Sequence, residues 1–181
     1  DEAKKKEIND PNALALGTAS KTGIPSVRMV LLKGFDKDGF VFYTNLNSQK
    51  GNELKDNPNA TMCFHWKSLL RQIRIVGTLN LVDDKTADDY YNTRAYESRI
   101  GAWASKQSSI LKSRDELLNS LESFKKKYND KHKVPRPDYW SGWNFKPTSI
   151  EFWLDGDNRI HERLKYTLDE NNNWIKNLLS P

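Results

Sequence analysis

The segment RQIRIVGTLNLV, residues 71–82, sets Ile73, Ile75, Leu79 and Leu81 against Gln72, Arg74, Thr78 and Asn80. In an extended chain successive side chains point to opposite faces, so this alternation makes one apolar and one polar face. That is a strand half-buried against a core. Working back from it, Ala60–Trp66 reads as a neighbouring strand. Ser48 suits the N-cap of a short helix that stops near Asn57, because Pro58 disfavours helix before it. Phe40–Asn45 and Ser26–Phe35 are strands on either side of an Asp36–Gly39 turn. A Lys21–Pro25 turn containing Gly23 separates Ser26–Phe35 from a first strand, Ala13–Ser20.

Working forward, Asp84–Arg94 reads as a helix, with Ala87, Tyr90, Tyr91 and Arg94 at helical spacing. Ile100–Ser109 has no clear period and reads as a loop. Ser113 and Glu116 form a capping box for a helix with Leu117, Leu118, Leu121, Phe124 and Tyr128 along one stripe. Lys131–Asp138 is a polar connection. Ser149–Leu154 and Arg159–Leu168 are strands joined by an Asp155–Asn158 turn. Strands at this spacing, joined by tight turns and interrupted by few helices, predict an α+β fold: an antiparallel β-barrel with peripheral helices. No βαβ alternation and no GxGxxG occur, which excludes a Rossmann domain. No repeat or linker divides residues 1–181, so one domain is expected, the closing strands of 139–181 included.

Several classes fall away on composition. No apolar stretch approaches the ~20 residues of a membrane span, and no signal peptide is visible. A single cysteine, Cys63, allows no internal disulfide and suits a reducing compartment, with the cytoplasm as the default. The net charge of +5 fits either a solvated basic surface or attraction to an anion. His65, His132 and His161 lack metal-ligand spacing, so no metal is expected. There is no P-loop and no GxSxG. A Cys63–His65 nucleophile pair is conceivable, but such residues in a strand more often face a core or an interface.

Position is more informative than composition. In a strand over 159–168, Arg159, His161 and Arg163 share one face, and three such groups repel unless an anion or carboxylates neutralise them. An exposed basic strand balanced by Glu or Asp on a neighbour explains the pattern equally well. Arg28 and Lys33 bracket an apolar strand, and Ser48-Gln49-Lys50 lies at a helix N-terminus, where backbone N–H groups and an ammonium could hold a phosphate. Many phosphate donors, several aromatics and no obvious nucleophile together suit chemistry carried by a cofactor.

The segments RMVLLK (28–33), FYTN (42–45), Arg71–Gln72, RIGAWASKQSS (99–109), IEFW (150–153), RIHER (159–163) and Leu178–Pro181 occur in this order. Together they resemble the pyridoxamine 5'-phosphate oxidase family from about Pro11 to the C-terminus. The resemblance implies an FMN-binding split-barrel homodimer with flavin at the subunit interface. It implies flavin contacts at Arg28, Met29, Val30, Leu31, Tyr43, Thr44, Lys50, Gln72, Gln107, Ser108, Trp153 and Arg163. It places Lys33, Tyr90, Arg94 and Ser98 around a substrate phosphate, and Arg159 and His161 beside the substrate ring. The implied reaction is oxidation of pyridoxamine or pyridoxine 5'-phosphate to pyridoxal 5'-phosphate, with dioxygen reduced to hydrogen peroxide. Tyr90, Arg94, Lys33 and Ser98 are all donors suited to phosphate, and Tyr90 and Arg94 lie four apart on the expected helix.

Three departures stand out. Gln49 takes the place of the Arg common in the family, Ala95 that of the Pro after Arg94, and the N-terminal arm that covers the site in relatives is absent or trimmed. A non-oxidase flavin-binding split barrel would not need Lys33, Tyr90, Arg94, Ser98 and RIHER together. A nucleic-acid-binding module, suggested by the basic charge and six Trp, predicts a colourless protein with strongly salt-dependent binding.

Overall fold

The alternating segment forms a strand over Arg71–Leu81 in the computed structural model, which describes residues 1–181. Ile75, Gly77 and Leu79 point inward while Arg74, Val76 and Asn80 are exposed, as the alternation requires. In chain order the elements are α1 (Glu2–Lys6), β1 (Ala13–Ala19), β2 (Pro25–Leu31), β3 (Gly34–Asp36), β4 (Gly39–Asn45), α2 (Gln49–Asp56), β5 (Asn59–Trp66) and β6 (Arg71–Leu81). They continue with α3 (Asp84–Asn92), α4 (Tyr96–Ala104), α5 (Arg114–Lys127), β7 (Trp140–Leu154), β8 (Glu162–Leu168) and β9 (Trp174–Leu178). The nine strands form one sheet in the order β2-β1-β5-β6-β7-β4-β3, with β8 on β7 and β9 on β8. The pairs β1–β2, β1–β5, β3–β4, β5–β6, β7–β8 and β8–β9 are antiparallel.

The chain gathers into two compact units. The first comprises Asp1–Phe42, Glu53–Asn80 and Asn144–Pro181. Its core is Leu14, Leu16, Phe42, Met62, Ile75 and Phe145, each essentially without solvent exposure. Burying each such side chain contributes roughly 1.5–3 kcal/mol. The β3–β4 hairpin turns at Gly39, whose φ of +138° suits glycine and where a Cβ would meet the Phe145 carbonyl oxygen at 2.3 Å. Asp36 Oδ1 accepts from the Asp38 N–H at 2.8 Å and stiffens that turn. Helix α1 is tied down by Glu2, 2.6 Å from Arg71, and by Glu7, which accepts from the Ser68 N–H at 2.9 Å.

The second unit comprises Tyr43–Asn52 and Leu81–Trp143. Asp83 caps α3 by accepting from the Thr86 N–H at 2.6 Å, and Ser113 caps α5 by accepting from the Glu116 N–H at 3.3 Å. The Glu116 carboxylate reaches back to the Lys112 N–H at 3.2 Å, one residue short of a strict capping box. Ala87, Tyr91, Ile100, Ala104, Val134 and Trp140 form this unit's core. No helix is long and apolar enough to cross a membrane.

The structure revises five of the expected elements. Ser26–Phe35 is two strands, broken at Leu32 and Lys33, whose N–H groups bond to the carbonyls of Asn12 and Val41. The helix expected to reach Arg94 ends at Asn92, so Tyr90 and Arg94 are not four apart on one helix; Arg94 lies in the turn beyond. Part of the expected Ile100–Ser109 loop is α4, whose N-cap is Ala95 with no capping side chain to announce it. Strand β7 starts nine residues before Ser149, running through Gly142 and Pro147, and β9 was not expected at all. Most consequential, the strand expected over 159–168 starts only at Glu162. Arg159 closes a 3-10 turn with φ +67°, after Asn158 at φ +55°, so strand alternation does not put Arg159 on a face with His161 and Arg163.

Candidate active site

In the second unit, β4 and the start of α2 form a cradle suited to an anion. Ser48 Oγ accepts from the Gly51 N–H at 3.3 Å and donates to the Asn45 carbonyl at 2.7 Å, so the expected N-cap forms. The Lys50 ammonium, 7 % exposed, lies 3.2 Å from Thr44 Oγ1, 3.3 Å from Ser48 Oγ and 3.2 Å from Gln107 Oε1. These three acceptors are uncharged, while the helix N-terminus adds a positive field. A buried cation beside hydroxyls and amide groups is a donor set matched to a phosphate. The structure thus brings together Thr44, Lys50 and Gln107, which are far apart in sequence. Ser108 follows in a left-handed conformation at φ +70°.

Beside this cradle in sequence, Tyr43 enters an aromatic stack. Its ring lies 3.9 Å from that of Tyr90 and 5.3 Å from that of Trp140, within 10° of parallel in both cases. The Arg94 guanidinium lies 4.6 Å from the Trp140 ring centroid and 5.7 Å from that of Tyr91. Its Nη1 is buried and has no hydrogen-bond partner. Burial lowers the pKa of Arg94, the neighbouring tyrosines opposing it only in part. A cation held on π faces with an unmet donor is a donor that an oxyanion could satisfy. Tyr91 is buried and donates to the Arg99 carbonyl at 3.0 Å; burial pushes its phenol up to about 12. Ser98 is the exposed third residue of α4.

The first unit carries the remaining positions. Arg28 does not project free: it donates to the Leu16 carbonyl at 3.1 Å, to Thr18 and Ser26, and to Glu53 Oε2 at 3.2 Å. The exposed edge of β2 is instead apolar, with Val27 and Met29 and the half-exposed Leu31, while Val30 faces the other way. Gln72 pairs in register with His65. Lys33, at the break between β2 and β3, lines a cavity of about 870 Å3 with Phe35, Phe64, Trp66 and Phe152.

Arg163 is fixed on three sides. Glu151, 4 % exposed, accepts from Nε at 2.9 Å and lies 2.8 Å from Nη2, while Nη1 donates to the Ser180 carbonyl at 2.9 Å. Arg74 Nη2 is 2.9 Å from the other Glu151 oxygen, close enough for attraction but off the line of a hydrogen bond. Carboxylate balance of a basic strand is therefore real, but it falls on Arg163. Arg159 is exposed and makes no ion pair with a carboxylate; His161 is half-buried, 4.6 Å from Trp153 ring to ring and 3.0 Å from Asp155 through Nδ1.

Sequence reasoning did not single out Glu53, Trp140, Glu151 or Asp155. Glu151 lies inside the quoted IEFW segment, and its place diagonal to Arg163, two residues along β7 from Trp153, follows only from the β7–β8 register, Trp153↔Arg163 and Glu151↔Lys165. Trp140 gives no local signal, since its partners are 46 to 97 residues away in sequence.

Comparison with known proteins fits this geometry. Residues 1–137 match the family model described as pyridoxamine 5'-phosphate oxidase, and residues 140–181 match the pyridoxine 5'-phosphate oxidase C-terminal dimerisation region. A curated relative from Pelagibacter ubique (strain HTCC1062), named pyridoxine/pyridoxamine 5'-phosphate oxidase, is 71 % identical over 180 residues, 99 % of this chain and 86 % of the relative. The crystal structure of PhzG from Burkholderia lata 383, solved with tetrahydrophenazine-1-carboxylic acid, is similar with a TM-score of 0.93 at 29 % identity, over 99 % of this chain and 87 % of that one. A pyridoxamine 5'-phosphate oxidase-related, FMN-binding protein from Nostoc punctiforme shares the fold at a TM-score of 0.78 and 17 % identity, over 99 % and 93 %. The fold class is thus the one expected, an antiparallel split barrel with peripheral helices.

Proposed function

The chain belongs to the pyridoxamine 5'-phosphate oxidase family, and from that premise we propose that it oxidises pyridoxamine and pyridoxine 5'-phosphates to pyridoxal 5'-phosphate as an FMN-dependent homodimer. The observation that carries the substrate class is Arg94, a half-buried cation on an aromatic face whose buried Nη1 has an unmet donor. Its site suits a phosphate monoester, and the family resemblance adds Tyr90, Ser98 and Lys33 as further donors. A positioned dianion lets binding energy made away from the reacting carbon hold that carbon in place. Arg159 orients the substrate ring and stabilises negative charge as it develops, and His161 helps to place the ring.

FMN fits the donor set of Lys50, Thr44 and Gln107 at its phosphate, with Tyr43, Ser108, Gln72, Trp153, Arg163 and the β2 segment Arg28–Leu31 around the remainder. When bound it supplies the two-electron acceptor, which dioxygen reoxidises with release of hydrogen peroxide. Arg28, committed to Glu53, serves by bracing β2 so that its backbone stays in place. The exposed apolar edge of β2 and the match of residues 140–181 support dimer formation, with flavin at the interface.

Denaturing the purified protein should release FMN in equimolar amount to the chain, and the flavin-loaded dimer should form peroxide with either phosphate. Recovery of FAD, or no turnover with both substrates after reconstitution, overturns the reading. Arg159→Ala should keep flavin colour and dimer state but lower kcat/KM at least ~tenfold, about 1.4 kcal/mol of transition-state stabilisation. Because Ala inherits the same left-handed backbone, the fold is little disturbed. Normal turnover per bound flavin would remove Arg159 from the machinery.

A further inference from the structure

We propose that Arg136 is a positioning residue for the phosphate site at Arg94, keeping the Trp140 face in place beneath the Arg94 guanidinium. The proposal rests on the reading of Arg94 as the substrate's phosphate site and adds the device that holds it. Arg136 lies in the connection between α5 and β7, and its side chain is only 12 % exposed. Each of its three nitrogens has a different partner within the second unit. Nε donates to Asp88 Oδ1 at 2.6 Å, Nη2 to Asp84 Oδ1 at 2.8 Å, and Nη1 to the Trp140 carbonyl at 2.9 Å. One planar group thus ties α3 to the first residue of β7.

The two aspartates show which part of α3 is held. Asp84, Asp88 and Tyr91 follow the i, i+4, i+7 spacing of one helix face. The grip at the start of that face is matched at its end, where the buried Tyr91 ring meets the Trp140 ring edge-on at 5.0 Å. Trp140 is therefore held both by its carbonyl and by its ring. Arg94, two residues beyond α3, rests on both rings, 4.6 Å from that of Trp140 and 5.7 Å from that of Tyr91. A shift of α3 against Trp140 moves the cation off the faces that hold it. Stability does not account for the arrangement: Asp84 is 90 % and Asp88 53 % exposed, and ion pairs to carboxylates so exposed add little. Three directed bonds from a rigid fork fix orientation instead, which a lysine could not do.

The test is calorimetric titration of the FMN-loaded protein with 4'-deoxypyridoxine 5'-phosphate, which keeps the phosphate but has no oxidisable exocyclic group, beside steady-state kinetics. Arg136→Met should weaken analogue binding and raise KM about five- to tenfold, with kcat and flavin retention within about twofold. Bare Asp84 and Asp88 could by themselves repel a dianion, so the second variant is Asp84→Ala with Asp88→Ala. It removes two negative charges and leaves Arg136 in place. Repulsion alone predicts tighter analogue binding there, whereas loss of the clamp predicts binding weakened about threefold or more. In an Arg94→Ala background, Arg136→Met should change analogue affinity by less than about twofold, since the group it positions is gone. Unchanged affinity in Arg136→Met, unchanged or tighter binding in the paired aspartate variant, or the full loss retained without Arg94 overturns the proposal. A wild type that does not bind the analogue, or an Arg94→Ala variant that binds it as the wild type does, overturns the phosphate reading and the proposal with it.

Discussion

Arg94→Ala should raise KM for pyridoxamine 5'-phosphate about ten- to a hundredfold, the worth of one charge-assisted hydrogen bond of ~1.5–3 kcal/mol. The reason is the state of the guanidinium before substrate arrives. Its Nη1 is buried without a partner, and burial lowers its pKa. It has therefore already lost hydration that a phosphate would replace, so the phosphate gains more from it than from a solvated cation. Stability should move little. Losing the contact with Trp140 costs about 0.5–2 kcal/mol, and removing an unsatisfied buried donor returns about 1–3 kcal/mol. The melting temperature should therefore stay level or rise, and steady-state kinetics beside a thermal melt will check both. A large fall in melting temperature with unchanged KM would make Arg94 structural. Arg94→Lys should recover only part of the loss, since an ammonium cannot span the π face and donate in a fork.

Glu151→Ala should destabilise the protein by about 2–3 kcal/mol. Breaking a buried pair from one side costs ~3–5 kcal/mol, discounted because Arg74 is 52 % and Arg163 25 % exposed. For a chain of this size that is roughly 5–10 °C in melting temperature. Two guanidiniums would be left facing one another, and Arg163 would lose the partner that fixes Nε and Nη2. FMN retention should fall with it, because a guanidinium free to rotate is a poorer donor. In a Glu151→Ala, Arg163→Ala double variant the two stability losses should not add. Full additivity in thermal melts would mean that the pair contributes nothing as a pair.

Much of this arrangement was legible in the sequence, for reasons that differ from residue to residue. The alternation of 71–82 is enforced by burial of one face, so it reads directly as β6. Ser48 and Ser113 could be placed near helix starts because capping uses short polar side chains at fixed offsets, while the helix from Asp84 was read from its spacing, not from its cap, Asp83. Helix α4 was missed because Ala95 offers no such side chain, and β7 because Gly142 and Pro147 mimic a stop. The placement of Arg159 failed on backbone geometry: two consecutive left-handed residues leave no period to read. Asp155, Glu151 and Trp140 act across turns or between strands, and one sequence carries no signal for pairing of that kind. The roles of Lys33, Tyr90 and Gln107 came from family resemblance, and the geometry around Arg94 and Lys50 supplies the physical reason for part of that pattern.

The left-handed turn at Asn158 and Arg159 has a consequence for selection. A residue with a Cβ held at φ +67° gives up roughly 1–2 kcal/mol against glycine. Asn158 meets the same demand with a side chain that tolerates it, so that position should accept Gly or Asp freely. At 159 two pressures oppose each other if Arg159 has its proposed role: folding favours glycine, while turnover favours a long cation. A library ranked by heat resistance alone would drift to glycine there and return well-folded, yellow, inactive protein. One ranked by turnover would keep arginine and accept the lower melting point.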